Sequence, residues 1–259
     1  AASDVYKRQV QRRPQKLIEI APAQTIEPAL AERIERAAER LLEDTGYVGL
    51  ATAEFLVDKE RAADDPEAFA FLEVNPRLQV EHTVTEEVTG LDLVALQLRF
   101  AEGGSVPAER PGARGVAIQL RINAETIGAD GMPRASGGTI SNVEVPGGPG
   151  IRVDGALKAG MAANPRFDSL LAKLIVHAPD WDAALARARR AVAEFEIAGV
   201  ATNLPLHAAL LAREEVAAGK VDTGWFDRNV SDFAVAAAPA ASTDTQAVVA
   251  PLALSLIHI

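Results

Sequence analysis

Cysteine is absent from this 259-residue chain, which excludes disulfides and thiolate metal sites without fixing the compartment. Histidine is scarce as well, and four scattered residues do not make a metal set. Acidic residues outnumber basic ones, 36 Asp and Glu against 26 Lys and Arg, and no basic run with interleaved aromatics offsets them. That balance argues against a nucleic-acid partner, and a phosphate-bearing ligand would need local positive charge. No apolar run reaches the roughly 18–20 residues of a membrane span, and no charged-then-apolar leader opens the chain. The expectation is a cytoplasmic protein with no membrane partner. What is present is ordinary: 48% hydrophobic and 24% charged residues, with length for one large or two smaller domains.

The two ends differ from the rest. Residues 1–9 (Ala-Ala-Ser-Asp-Val-Tyr-Lys-Arg-Gln) and 254–259 (Leu-Ser-Leu-Ile-His-Ile) resemble translated sequencing-adapter read-through and are set aside from fold reasoning. Residues 234–247 are small residues and Pro with no helical or strand period, which reads as an exposed Ala/Pro linker. Folded material is expected over 10–233, with no repeat at solenoid periods.

Pro28 at a first helical position, then Leu30, Ile34, Ala37, Ala38, Leu41 and Leu42, with Gly46 just beyond, predict an amphipathic helix with both end signals. Residues 49–57 follow as a strand with Thr52, Glu54 and Leu56 on one face. A polar loop over 59–68 joins it to residues 71–82, Phe-Leu-Glu-Val-Asn-Pro-Arg-Leu-Gln-Val-Glu-His. Read as extended, this second stretch places Glu73, Asn75, Arg77, Gln79 and Glu81 on one face, with Leu72, Val74, Leu78 and Val80 between them. Strands side by side would set Glu54 near Glu73 and Asn75. Carboxylates and Asn are hard oxygen ligands for Mg2+ or Mn2+, and Arg suits a planar oxyanion. On pattern alone the row serves a solvated face equally well, and Glu54 or Arg121 taken singly reads as an exposed residue.

Thr83 with Glu86 forms a capping-box signature, and Asp92 caps a helix from Leu93 that ends at Gly103-Gly104. Residues 116–123 alternate, with Val116, Ile118, Leu120 and Ile122 opposite Ala117, Gln119, Arg121 and Asn123. Short strands with Gly/Pro turns run on to Val176. Residues 181–195 read as a helix capped by Asp180, and Asn203 starts another. The glycines at 137, 138, 147, 148 and 150 read as turns, since no Lys-Ser or Lys-Thr follows them. His82 reads as structural, and His177 and His207 as incidental.

Several of these segments together resemble the biotin carboxylase component of biotin-dependent carboxylases, an ATP-grasp enzyme family. The resemblance rests on Gln11-Arg12-Arg13 with Gln15-Lys16, on Glu54-Phe55-Leu56, and on residues 73–82 with Thr85-Glu86. It continues through Arg121-Ile122-Asn123-Ala124-Glu125 and Asp168-Ser169 with Lys173-Leu174. It implies an α+β fold. Residues 10–105 would form the C-terminal half of an ATP-grasp domain, and 106–233 the C-terminal domain, an antiparallel sheet with packed helices. Residues 248–253 resemble the first strand of a biotin-carrier domain, cut off before its biotinylated lysine.

The resemblance also implies roles. Glu54, Glu73 and Asn75 correspond to ligands of Mg2+ or Mn2+ on ATP, with Gln11 near the phosphates and Leu56 against adenine. Arg77, Gln79 and Val80 correspond to the bicarbonate site, Glu81 to the general base that deprotonates bicarbonate, and Arg121 to the residue that serves biotin. Expected partners are a biotin-carrier domain, a carboxyltransferase and a second copy bound through the C-terminal domain. Pro14 stands where the family commonly has His. The family's N-terminal domain, glycine-rich lid and ATP-binding lysines would all precede Val10, so this piece alone is expected to be inactive. Two other readings stay open: a carbamoyl-phosphate synthase type of ATP-grasp ligase, and a non-catalytic interface fragment.

Overall fold

The computed structural model describes residues 8–12, 15–58, 60–105, 111–128 and 130–233. The order is β1 (Arg8–Arg12), β2 (Gln15–Ala21), α1 (Pro28–Thr45), β3 (Thr52–Val57), β4 (Phe69–Asn75), α2 (His82–Thr89), α3 (Leu93–Ala101), β5 (Val116–Asn123), β6 (Glu125–Ile127), β7 (Pro133–Ala135) and β8 (Gly138–Thr139). Then come β9 (Asn142–Glu144), β10 (Ile151–Gly155), β11 (Ala162–Ala163), β12 (Leu170–Ala178), α4 (Trp181–Glu194), β13 (Glu196–Ala198), α5 (Leu204–Ala212), α6 (Glu214–Ala217) and α7 (Trp225–Arg228). Arg13, Pro14, Lys59, the linker, the carrier-like strand and residues 1–7 and 254–259 of the two terminal segments lie outside the described residues.

A five-stranded sheet in the order β1-β2-β5-β12-β10, antiparallel throughout, organises the chain. One register row reads Ile18, Leu120, Leu174, Val153 across four strands, and it faces α4 and α5 in the main core. The opposite face carries Ala21, Ala117 and Ile175 against Val84 and Val88 of α2. Helices therefore cover both faces. That is why Leu17-Ile18-Glu19-Ile20 shows no period of two and the hairpin of β1 and β2 was not legible as strands. This hairpin also carries the sheet back into the segment before residue 105, and β1 begins within the adapter-like stretch, with Gln9 opposite Glu19. Leu174 is fully buried in the central row. Leu174→Ala is expected to cost about 2–5 kcal/mol, read as a lower denaturation midpoint in urea.

The helix expected after Pro28 forms, and Gly46 closes it at φ 62. Leu30 and Ile34 of that helix pack with Phe55, Val57 and Phe69. The loop over 60–68 is tied down: Arg61 pairs with Asp58, Asp65 and Glu67, and Arg33 donates to the Asp65 carbonyl at 3.0 Å. Asp92 caps α3 through the Ala95 N–H at 2.7 Å. The capping box at Thr83 does not form. Helix α2 starts at His82 with Glu81 at its N-cap, two residues earlier than a Thr83 cap requires, so the Thr83 hydroxyl turns to the Gln119 side chain while Glu86 accepts from the Leu93 N–H at 2.9 Å.

Candidate functional site

Two β-bulges aim the site. In β1–β2, Val10 faces Ile18 and Gln11 faces Lys16, so Leu17 has no opposite partner. The bulge turns Lys16 to the face that carries Glu19, where simple alternation would have put it beside Ile18. In β3–β4, Glu54 faces Glu73 and Phe55 faces Phe71, so Leu72 is the extra residue. Phe55 and Phe71 meet edge to face at 5.8 Å on one side, and Glu73 comes round to join Glu54 on the other.

The strand expected over 71–82 ends at Asn75. Pro76 lacks an N–H for the ladder, and the chain leaves the sheet through residues 76–79 and a turn at 80–81. Alternation therefore does not place Arg77, Gln79 and Glu81. The turn does, and all three still line one cavity of about 1560 Å3 together with Gln11, Lys16, Glu19, Glu54, Leu56, Glu73, Asn75 and Arg121. Val80 is not part of that lining, and its carbonyl accepts from Lys173 Nζ at 3.2 Å. Gln79's carbonyl accepts from the His82 N–H at 3.2 Å and meets His82 Nδ1 at 2.7 Å, which bears out a structural role for His82. Burial holds the His82 imidazole below its ordinary pKa, and the Gln79 carbonyl acts against that shift.

A chain of charge crosses the basin. Lys16 Nζ contacts Glu54 Oε1 at 2.7 Å and Glu81 Oε1 at 2.6 Å. Glu81 Oε2 takes Arg121 Nη2 at 3.1 Å, and Arg121 Nε continues to Glu19 Oε1 at 2.7 Å. Burial pushes the Lys16 ammonium down, but the two carboxylates outweigh it and its pKa ends above the ordinary lysine value. Burial pushes the Glu19 carboxyl up, opposed by Arg121. By contrast, the Arg77 guanidinium is exposed and makes one long bond, to the Leu78 carbonyl at 3.4 Å. Among the described residues the Gln79 side-chain amide has no hydrogen-bond partner.

Glu54 and Glu73 are direct cross-strand partners, an arrangement that like charges disfavour. Lys16 meets only Glu54 of the two, and Glu73 binds Asn75 Nδ2 at 2.9 Å. Two opposed carboxylates and an amide oxygen fit a hard divalent cation. Among the described residues no three His, Cys, Asp or Glu side chains cluster as a metal set, so Asn75 would have to complete this one.

Beneath the basin, the Arg121 carbonyl accepts from Asn203 Nδ2 at 2.9 Å and meets His207 Nε2 at 2.8 Å. His207, read from sequence as incidental, is fully buried and holds the strand that carries Arg121. Among the described residues its buried Nδ1 has no partner, so a second proton there would have no acceptor. Burial takes its pKa from 6.5 down to about 4, against a smaller upward pull from the Arg121 carbonyl. The unfolded chain thus binds a proton that the folded one refuses. This stability is present above pH 6.5 and is lost progressively as pH falls to about 4, a change on the order of 3 kcal/mol. Urea midpoints measured across that window should fall with pH in the native chain and change less in His207→Gln.

Sequence reasoning missed Glu19, gave Asn203 and His207 no part in the site, and quoted Lys16 and Lys173 only as parts of motifs. A glutamate inside the apolar run Leu17-Ile18-Glu19-Ile20 was the available signal, because a buried charge needs a partner.

Comparison with known proteins matches residues 6–109 to the ATP-binding domain of the carbamoyl-phosphate synthase L chain, and residues 119–228 to the biotin carboxylase C-terminal domain. The alpha3 subunit of a biotin-dependent acyl-coenzyme A carboxylase from Mycobacterium leprae is 44% identical over 204 residues, 78% of this chain and 33% of that protein. Biotin carboxylase 1 of Bacillus subtilis is 39% identical over 84% of this chain and 47% of its own length. Among solved structures, a single-chain, multi-domain long-chain acyl-CoA carboxylase aligns with TM-score 0.81 and 46% identity, covering 92% of this chain and 26% of that one. The biotin carboxylase domain dimer of Hydrogenobacter thermophilus 2-oxoglutarate carboxylase, in complex with MgADP, ADP and bicarbonate, aligns at 0.80 with 37% identity, over 88% of this chain and 49% of that one. The chain thus spans from about a third to about half the length of the two relatives.

Proposed function

This chain belongs to the biotin carboxylase family, and from that premise we propose that its basin takes bicarbonate and the phosphate end of ATP in the ATP-dependent carboxylation of biotin. The observation that carries the reading is Glu81, held between Lys16 and Arg121 while Arg77 and Gln79 line the same cavity. A guanidinium and an amide suit a flat oxyanion, and a carboxylate beside them suits proton transfer. The cavity also exceeds the roughly 300–1,000 Å3 of a single small-ligand pocket.

Arg77 and Gln79 orient bicarbonate. Glu81 accepts its proton, so that a bicarbonate oxygen attacks the γ-phosphate, ADP leaves, and carboxyphosphate forms. Glu54, Glu73 and Asn75 would hold Mg2+, or Mn2+, which supplies charge neutralisation on the phosphates. Leu56 flanks the adenine and Gln11 the phosphates. Carboxyphosphate then breaks to CO2 and phosphate, and Arg121 orients the ureido group of biotin, whose nitrogen gives its proton to the released phosphate and takes up the CO2. A biotin-carrier domain and a carboxyltransferase are the proposed partners, with a second copy bound through the C-terminal domain. Among the described residues no helix is long and apolar enough to cross a membrane.

The carbamoyl-phosphate synthase reading shares the first matched domain, and the match over 119–228 favours biotin. Bicarbonate-dependent ATP cleavage by the full-length enzyme carrying this segment separates the two. Stimulation by free biotin is expected, and turnover with an ammonia source but none with biotin would reject the proposal.

A further inference from the structure

We propose that Glu19 is the positioning residue for Arg121, fixing its guanidinium so that one part is shared with Glu81 and the rest is left for a ligand. The inference rests on reading the basin as a bicarbonate and biotin site, and it concerns a residue which that reading does not use.

Glu19 is 1% exposed, on the α2 side of the sheet. Its Oε1 receives Arg121 Nε at 2.7 Å and forms an ion pair with Nη2 at 2.5 Å, and its Oε2 receives Gln119 Nε2 at 3.0 Å. Gln119 is fixed in turn by the Thr83 hydroxyl. The carboxylate is therefore bonded at both oxygens, and Arg121 is the cation that compensates its burial. Arg121 Nη2 is shared with Glu81 Oε2 at 3.1 Å, while Nη1 donates to nothing among the described residues. Asn203 and His207 hold the same residue at its carbonyl. Backbone and guanidinium are thus clamped independently, which spares the site reorganisation when a ligand arrives.

Remove the charge from Glu19 and the remaining anion in contact with this guanidinium is Glu81. Arg121 would then settle on Glu81 as a bidentate pair, spending its donors and occupying the oxygen that is to take the bicarbonate proton. Glu19 therefore keeps Arg121 to a single bond with the base.

The test uses the full, isotope-labelled chain and its Glu19→Gln variant. The Arg121 Nε–H resonance is assigned by its loss in Arg121→Lys. In the native chain that proton should exchange slowly with solvent. In Glu19→Gln it should exchange at least about tenfold faster, and the dissociation constant for bicarbonate should rise about tenfold. If Glu19→Gln does not fold, Glu19→Asp keeps the charge, retracts it by one methylene, and should move both readouts in the same direction. Unchanged Arg121 exchange in a folded variant overturns the proposal. Faster exchange in Glu19→Gln, together with no bicarbonate binding by the native chain, supports the positioning role and rejects the functional reading of the basin.

Discussion

Arg121→Ala in the full-length enzyme is expected to lower biotin carboxylation by about 100-fold or more, far beyond its effect on biotin-independent ATP cleavage. Truncation removes the guanidinium whose Nη1 has no protein partner among the described residues, and this loss falls on the step that involves biotin. It also strands Glu19, a carboxylate with almost no solvent contact. Losing the partner of a buried charge costs about 3–5 kcal/mol, so the variant should unfold at lower urea as well. The double variant Glu19→Gln/Arg121→Ala removes the stranded charge. It should recover much of the stability and none of the biotin carboxylation. Equal losses in the biotin-dependent and biotin-independent rates of the single variant would count against the role given to Arg121.

Glu81→Gln is the second large effect. An amide of nearly the same shape accepts no proton at its oxygen under these conditions, and it leaves Lys16 and Arg121 facing a neutral group. Bicarbonate-dependent ATP cleavage should fall by about 10²–10⁴ in kcat, the range for a positioned general base, with a smaller change in KM for bicarbonate. A steady-state assay with bicarbonate varied at saturating ATP separates the two constants. A variant that raises KM and leaves kcat intact would make Glu81 a binding group and return the base to another residue.

Much of the scaffold was legible in the chain because its elements carry their own punctuation. Pro28 and Gly46 bracket α1, Asp92 and Asp180 cap their helices, and β5 alternates over its whole length. The site was legible as a set of residues more than as a geometry. Glu54 and Glu73 do face each other across β3 and β4, as the adjacent strands implied. The single polar strand face did not survive, because Pro76 ends the ladder and a turn delivers Arg77, Gln79 and Glu81 to the basin.

The bulges at Leu17 and Leu72 left no mark that pattern reading could use. Each extra residue is an ordinary leucine, and only the register of the partner strand shows that Lys16 and Glu73 have changed sides. Glu19 and His207 were hidden for a related reason. A buried polar group is justified by partners distant in sequence, such as the 102 positions between Glu19 and Arg121, and local composition cannot supply them.

The central claim is that strand, turn and sheet deliver their charges to one basin that takes bicarbonate. Titrating the isotope-labelled chain with bicarbonate tests it most directly. Resonances of Arg77 Nε, the Gln79 side-chain amide, the Glu81 N–H group and Arg121 Nε should shift together with a single dissociation constant. Shifts that miss this set, or that divide it into groups with different constants, would contradict the claim.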